Sequence, residues 1–255
     1  MDMVNFRLDG KVALVTGAGR GIGLGIAEAF AAAGCAVAIQ DIDLDVAHSA
    51  VDALKTQNLR AVALGGDAAD TSFATQTVRA VTEALGGFHI LVNNAAIQSS
   101  QSWEELSPEI VERQYRANIV TPLLLCQQVM PIFRKQRFGR IINLGSIQQR
   151  RGNPTMLPYS MSKAALWNMT TGLAADVASD GITVNLLAPG YFDTYRNSDH
   201  LKSDASRERA GKGIPIGRIG EPRDCAGAAL LLASEAGEYI TGQRIHIDGG
   251  MSLRW

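Results

Sequence analysis

Short apolar runs alternate with longer, alanine-rich segments along this chain. The runs are rich in β-branched residues and apolar almost throughout, which is typical of parallel strands buried on both faces. They begin at Lys11, Cys35, Arg60, Phe88, Arg140, Ile182 and Arg244. The intervening segments predict helices that begin near Gly21, Leu44, Thr71, Ser107, Pro158 and Pro222. This alternation predicts an α/β fold: one doubly wound (Rossmann-type) domain with a seven-stranded parallel sheet and helices on both faces.

One stretch departs from the alternation. Residues 191–214 contain no run typical of a strand and are dense in polar and charged side chains. Long irregular segments inside compact domains usually serve a function. We therefore interpret residues 191–214 as a flap over a substrate site, within a single domain that spans residues 1–255.

Composition and charge narrow the class of protein. The chain is 46% hydrophobic and 19% charged, with a formal net charge of −1. These values are typical of an enzyme-sized domain and give no reason to expect nucleic acid or a membrane surface as a partner. The N-terminus lacks the features of a signal peptide, so we expect a cytoplasmic protein. Cys35, Cys126 and Cys225 are widely spaced, which favours reduced thiols over disulfides or a metal site.

A glycine-rich turn joins the first predicted strand to the first predicted helix. Residues 16–23 read T-G-A-G-R-G-I-G, a G-x-x-x-G-x-G spacing rather than G-x-G-x-x-G. Glycines there let the backbone approach a pyrophosphate, whose charge is met by amides at the helix N-terminus. The turn therefore predicts a dinucleotide cofactor.

The choice between NAD and NADP depends on Asp41 and Arg20. Asp41 ends the second predicted strand, close to the ~20-residue offset at which an acid binds the adenosine ribose. A carboxylate there repels the 2′-phosphate of NADP, whereas Arg20 in the turn could pair with that phosphate. The position of Asp41 aims it at the ribose, while Arg20 is free to point to solvent. We therefore predict NAD.

Tyr159 and Lys163 form a candidate acid/base pair. A four-residue separation stacks the phenol and the ammonium on one face of a helix. Tyrosines ordinarily titrate near pH ~10, so holding a phenolate at neutral pH costs about 4 kcal/mol. One cation about 4 Å away at an effective dielectric of ~20 supplies about 4 kcal/mol. The pair is therefore able to exchange protons, although the same spacing is common on ordinary solvated helices.

The ordered set of motifs resembles the short-chain dehydrogenase/reductase family over the whole chain. The matching features are T-G-x-x-x-G-I-G at residues 16–23, N-N-A-A at 93–96, Asn118, Ser146, Tyr159 with Lys163, and Pro189-Gly190 with Thr194. Ala96 stands where the family usually has glycine. The resemblance implies hydride transfer between a nicotinamide cofactor and a secondary alcohol or ketone.

The resemblance also implies roles for four side chains. Tyr159 would exchange the hydroxyl proton of the substrate, and Lys163 would assist it and hold the nicotinamide ribose. Ser146 would donate a hydrogen bond to the reacting oxygen. Asn118 would hold a water that continues the proton relay.

The same resemblance implies a cofactor site along the carboxyl ends of the strands. Asp67 would accept the adenine amino group, Asn94 and Ala95 would line the adenosine ribose, and the backbone near Phe192 would hold the carboxamide. The cofactor residues implied are Gly17, Arg20, Gly21, Ile22, Gly23, Asp41, Asp67, Ala68, Asn94, Ala95, Tyr159, Lys163, Pro189, Phe192 and Thr194. No metal is implied.

The loop between Ser146 and Tyr159 is unusually polar, reading I-Q-Q-R-R-G-N-P at residues 147–154. An arginine there could bind a carboxylate in a bidentate fashion. Candidate substrate residues are Gln98, Ser146, Gln148, Arg151, Asn153, Tyr159 and Arg196. We predict a small polar substrate of carbohydrate metabolism, with a sugar acid (an aldonate or keto-deoxy sugar acid) ahead of a neutral sugar or polyol.

Two other functions remain open. The first is a 3-oxoacyl-(acyl-carrier-protein) reductase, against which Asp41 argues because it disfavours NADPH. The second is a non-catalytic NAD-binding sensor, which has no chemical need for Asn118, Ser146, Tyr159 and Lys163 together.

The family resemblance further suggests a homotetramer. The helical segments 107–136 and 158–177 carry more apolar surface than one amphipathic face requires, so we expect them at an interface. We also expect Arg254 and Trp255 to dock at a subunit boundary.

Overall fold

The computed structural model describes residues 4–150 and 152–254, with the main chain only for Arg254. Seven parallel strands form one sheet in the order β3-β2-β1-β4-β5-β6-β7. The strands are β1 (Val12–Thr16), β2 (Ala36–Asp41), β3 (Ala61–Gly65), β4 (Ile90–Asn93), β5 (Gly139–Leu144), β6 (Ile182–Pro189) and β7 (Arg244–Ile247). The predicted α/β fold with a single seven-stranded parallel sheet is confirmed.

Eight α-helices cover the sheet in the described part of the chain. They are α1 (Gly21–Ala32), α2 (Leu44–Lys55), α3 (Phe73–Leu85), α4 (Pro108–Tyr115), α5 (Thr121–Gln136), α6 (Leu157–Val177), α7 (Asp204–Lys212) and α8 (Pro222–Ala233). Apolar side chains of α1, α2 and α8 form a core on one face of the sheet. Those of α3, α5 and α6 form the core on the other face. None of the helices in residues 4–150 and 152–254 has the length and apolar character needed to cross a bilayer.

The strand order reverses direction between β1 and β4, which places a crevice at their carboxyl ends. Every residue of β1, β2, β4, β5 and β6 is buried, which explains why these strands are apolar almost throughout. The three cysteines are buried free thiols, as predicted. Burial raises the pKa of each thiol to about 12.

The helical segment 107–136 is not one regular helix. Arg116–Val120 forms a π-helical turn between α4 and α5. Such turns hold an extra residue in a helix and often occur at functional sites. The extra residue leaves no break in the pattern of apolar side chains, so the periodicity alone predicts a continuous helix.

The flap also contains a helix that the polar composition did not reveal. Helix α7 begins after Ser203, whose hydroxyl accepts from the backbone N–H of Ser206 at 3.2 Å. The Ser206 hydroxyl in turn accepts from the backbone N–H of Ser203 at 3.1 Å. This capping box satisfies two amides at the helix start, and therefore stabilises a helix that lacks a continuous apolar stripe.

Candidate active site

A cavity of about 660 Å³ opens at the carboxyl ends of the central strands. It runs from the glycine-rich turn, past β4 and β5, to the start of α6 and the flap. Most of the predicted site residues line it: Gly17, Arg20, Gly21, Ile22, Gly23, Asp41, Asp67, Ala68, Asn94, Ala95, Gln98, Ser146, Gln148, Tyr159, Lys163, Pro189, Phe192, Thr194 and Arg196. The fold thus brings distant motifs to one crevice.

The glycine-rich turn is held in a shape that leaves no room for a side chain at Gly17. Gly17 has a φ of 61°, and a Cβ on Gly17 would lie 2.9 Å from the Cα of Ala95. Asn94 Nδ2 donates to the carbonyls of Thr16 and Gly17, both at 2.8 Å. The turn therefore presents bare backbone and the start of α1 at Gly21 to the cavity, which fits the pyrophosphate of a dinucleotide.

Gly23 allows a testable prediction about this turn. A Cβ on Gly23 would lie 2.5 Å from Asn94 Nδ2 and 2.7 Å from the Gly17 carbonyl oxygen. Gly23→Ala must displace both, so we expect dinucleotide affinity, measured by calorimetry, to fall at least about tenfold, or ~1.4 kcal/mol. The matched control is Gly172→Ala in α6, where a Cβ meets nothing within 4 Å. That variant should bind normally; equal losses in both would contradict the packing argument.

Asp41 lies buried where β2 ends. Its Oδ2 accepts from the Gly19 N–H at 3.0 Å, and its Oδ1 accepts from the Asp43 N–H at 3.2 Å. A carboxylate offers about four lone-pair positions, so Asp41 keeps capacity for ribose hydroxyls.

Arg20 does not extend freely into solvent, in contrast to the sequence-based expectation. Its guanidinium carbon lies 4.5 Å from the centre of the Tyr195 ring, and Nη2 lies 3.7 Å from Asp43 Oδ2. Arg20 and Tyr195 are far apart in the sequence, so no local pattern indicates this contact.

Asp67 has partners that the sequence did not reveal. Its Oδ1 accepts from the Ala69 N–H at 2.8 Å, and Arg113 Nη2 donates to its Oδ2 at 2.6 Å. Arg113 comes from α4 and itself lines the cavity. Adenine recognition by Asp67 stays a prediction. Arg113 lies beside Asp67 in the cavity and would contribute to the same part of the site.

Three of the predicted catalytic side chains meet where β5 ends and α6 begins. Tyr159, Lys163 and Ser146 are all buried. Ser146 Oγ accepts from the Gln148 N–H at 3.1 Å, which leaves its own proton free to donate. Lys163 Nζ donates to the Leu144 carbonyl at 2.6 Å and lies 5.5 Å from the centre of the Tyr159 ring. Burial, and then the positive charge of Arg196, lower the pKa of Lys163 to about 7.

Asn118 lies in the π-helical turn and does not line the cavity. Its Oδ1 accepts from the Ile97 N–H at 2.8 Å, while Nδ2 donates to the Ile97 carbonyl at 2.9 Å and to Ser162 Oγ at 3.0 Å. The side chain therefore ties the segment after β4 to α6. The water-holding role predicted for Asn118 remains a prediction.

The part of the cavity lining that includes Gln98, Gln148 and Arg196 is a polar wall, and it comes partly from the flap. Arg196 Nη2 donates to the Ala96 carbonyl at 2.9 Å. Gln98 and Gln148 line the wall, and Gln148 Oε1 is buried with no hydrogen-bond partner in the described part of the chain. Sequence reasoning missed other lining side chains: Ser100, Met156, Tyr191, Asn197 and Met251.

Some predicted residues are not placed at this wall. Asn153 does not line the cavity, because its Oδ1 accepts from the Thr155 N–H at 3.1 Å and its Nδ2 points to Met156 Sδ at 3.3 Å. Its side chain caps its own turn. Arg151, Trp255 and the side chain of Arg254 lie outside the described residues.

Comparisons with known proteins identify the family of this chain. A family model described as enoyl-(acyl carrier protein) reductase matches residues 17–252. Galactitol 2-dehydrogenase of Agrobacterium fabrum (strain C58) is 38% identical, over 96% of this chain and 98% of that protein. The 3-oxoacyl-(acyl-carrier-protein) reductase FabG of Vibrio cholerae is 36% identical, over 96% of this chain and 99% of that protein.

A solved structure of a gluconate 5-dehydrogenase from Burkholderia cenocepacia J2315, in complex with NADP and tartrate, has a TM-score of 0.90. It is 34% identical, with 98% of each chain covered. The names of these relatives indicate different substrates, and each match covers at least 96% of this chain. The protein therefore belongs to the short-chain dehydrogenase/reductase family, whose members are oxidoreductases that use a nicotinamide cofactor on alcohols and ketones.

Proposed function

We propose that this protein is an NAD-dependent dehydrogenase that oxidises a secondary alcohol of a small sugar acid, with neutral sugars and polyols as weaker substrates. The observation that carries the proposal is the position of Arg196, a cation that lines the same cavity as the buried Tyr159, Ser146 and Lys163. The substrate's carboxylate would bind the arginine while its hydroxyl reaches the tyrosine.

Arg196 has donors to spare for such a carboxylate. A guanidinium carries five N–H donors, and the contact with the Ala96 carbonyl uses one of them. Gln148 also lines this cavity, and its buried Oε1 has no hydrogen-bond partner among the described residues. The Burkholderia relative, described with bound tartrate, supports the idea because tartrate is a small polyhydroxylated acid.

The residues of this chain would divide the chemistry between them. The nicotinamide ring of the bound cofactor supplies the hydride acceptor. Tyr159 takes the hydroxyl proton as the carbon is oxidised, and Ser146 Oγ donates to the same oxygen, which fixes its position. Lys163 Nζ lies 5.5 Å from the centre of the Tyr159 ring, and in its charged form it would stabilise negative charge on the phenol oxygen. Burial lowers the pKa of Lys163 to about 7, so the ammonium is only partly populated at neutral pH.

The preference for NAD rests on Asp41. Its carboxylate is held at the end of β2 by the backbone amides of Gly19 and Asp43, so it does not swing away from the adenosine ribose. A 2′-phosphate would meet this negative charge. Turnover measured with NAD and NADP tests the preference, and a higher kcat/KM with NADP would contradict it.

A substrate panel with one variant tests the sugar-acid proposal. Arg196→Met should raise KM for aldonates about tenfold or more, the factor expected when a charge-assisted hydrogen bond of ~1.5–3 kcal/mol is lost. KM for neutral polyols should stay within about twofold, or ~0.4 kcal/mol. The matched control is Arg209→Met, an exposed arginine of α7 that should leave both values unchanged. Equal changes for acids and polyols, or a preference for apolar alcohols, would contradict the assignment.

A 3-oxoacyl-(acyl-carrier-protein) reductase remains a second candidate, because the Vibrio cholerae reductase is 36% identical over nearly the full length. Acetoacetyl thioesters with NADPH discriminate the two functions. Faster turnover of the thioester than of any aldonate would favour the reductase.

We also propose that the protein is a homotetramer. Val120, Leu123 and Met161 are exposed on the π-helical turn, α5 and α6, the elements predicted to form an interface. Light scattering on the purified protein should give the mass of four chains, and the mass of a single chain would exclude this assembly.

A further inference from the structure

We propose that Tyr195 of the flap is a positioning residue for cofactor choice: it holds the Arg20 guanidinium in contacts that compete with the 2′-phosphate of NADP. The inference rests on the proposed function, in which Asp41 binds the adenosine ribose. Tyr195 would thereby disfavour NADP by a route separate from the repulsion exerted by Asp41.

Arg20 is the basic side chain best placed to receive a 2′-phosphate. It is the only lysine or arginine in the turn at residues 16–23, and it lines the cavity. It directly precedes α1, and its contact with Asp43 places it beside the end of β2, where Asp41 lies. An arginine at this position would ordinarily favour NADP, because a guanidinium binds phosphate through parallel hydrogen bonds.

Two contacts engage this guanidinium instead. Asp43 Oδ2 lies 3.7 Å from Arg20 Nη2, and the guanidinium lies over the Tyr195 ring at 4.5 Å. Asp43 is itself fixed, because its Oδ1 accepts from the Val46 N–H at 3.3 Å at the start of α2. Tyr195 begins a short 3-10 turn directly after Thr194, and a Cβ on Gly21 would lie 3.5 Å from Thr194 Cγ2. The flap is thus packed against the glycine-rich turn at Arg20 and at Gly21.

A phosphate that recruits Arg20 must replace or reorient these contacts. Releasing the stacked ring should therefore improve the use of NADP without changing the Asp41 carboxylate. We expect an improvement of about two- to fivefold, which corresponds to the ~0.5–1 kcal/mol typical of an exposed cation–π contact.

The experiment compares Tyr195→Leu, which removes the ring, with Tyr195→Phe, which keeps it. For each variant, kcat/KM with NADP is divided by kcat/KM with NAD, so changes common to both cofactors cancel. The expected ratio rises about two- to fivefold for Tyr195→Leu and stays at the wild-type value for Tyr195→Phe. Tyr195→Leu should also leave the ratio unchanged when Arg20→Met is already present, because the ring acts through Arg20.

Three results would overturn the proposal. They are an unchanged or lowered ratio in Tyr195→Leu, an equal rise in Tyr195→Phe, and a full rise in the Arg20→Met background. The ratio in the wild-type enzyme tests the proposed NAD preference separately, and a wild type that prefers NADP would contradict that preference. The change in the ratio caused by Tyr195→Leu would still decide the role of Tyr195.

Discussion

Tyr159→Phe is expected to lower kcat by between about 10² and 10⁴-fold, the usual contribution of a positioned general acid or base. The substitution removes only the phenol oxygen, and the ring at the start of α6 stays buried. Cofactor affinity should change less than about threefold, or ~0.7 kcal/mol, because the glycine-rich turn and Asp41 are untouched. The measurement is single-turnover kinetics beside cofactor binding by calorimetry.

The control for this variant is Tyr239→Phe. Tyr239 is fully exposed, so the loss of its hydroxyl should leave both kcat and affinity unchanged. A Tyr159→Phe enzyme that keeps wild-type turnover would remove Tyr159 from the chemistry. A variant that loses turnover and cofactor binding together would instead indicate a structural defect.

Ser146→Ala is expected to lower kcat by about 10²–10³-fold, the range seen when one donor to a developing oxyanion is removed. The Ser146 hydroxyl accepts from the Gln148 N–H and lines the cavity, so its proton is free to be donated to a bound substrate. The loss should fall on kcat more than on KM, since the hydrogen bond strengthens as charge develops on the substrate oxygen.

Ser160→Ala is the matched control. Ser160 is a buried serine beside Tyr159 whose hydroxyl has no hydrogen-bond partner among the described residues. Its replacement should leave kcat within about twofold, or ~0.4 kcal/mol. Similar losses in the two alanine variants would mean that packing around α6, rather than a donor at Ser146, controls turnover.

The fold was predictable because buried parallel strands impose a strong local signal. Strand β6 begins and ends where the apolar run does, at Ile182 and Pro189, since both of its faces are covered. The start of α2 was equally predictable from local sequence, because Asp43 directly precedes the helix and its side chain accepts from the Val46 N–H. The glycine-rich turn was also predictable from local sequence, since its shape depends on glycines within one short segment.

Contacts between distant segments explain what the sequence could not reveal. Arg113 reaches Asp67 across 46 residues, and Arg20 stacks on a ring in the flap. The sequence pattern reveals neither pairing, because an arginine at the surface has many possible partners. The prediction that Asn153 lines the substrate site was wrong because of a local contact. Its side chain accepts from the backbone of its own turn instead of pointing into the cavity.

The π-helical turn at Arg116–Val120 determines how α4 is rotated relative to α5. Before the turn, Arg113 binds Asp67, and after it Thr121 Oγ1 donates to the Ala68 carbonyl at 2.6 Å. Within the turn, Asn118 binds Ile97. If these five residues instead formed a regular α-helix, α4 would be rotated by about 100° relative to α5, because each α-helical residue turns the chain by about 100°. A single additional residue thus sets the orientation of α4 relative to α5. A change in this turn would therefore move residues at the adenine end and at the catalytic end of the cavity together.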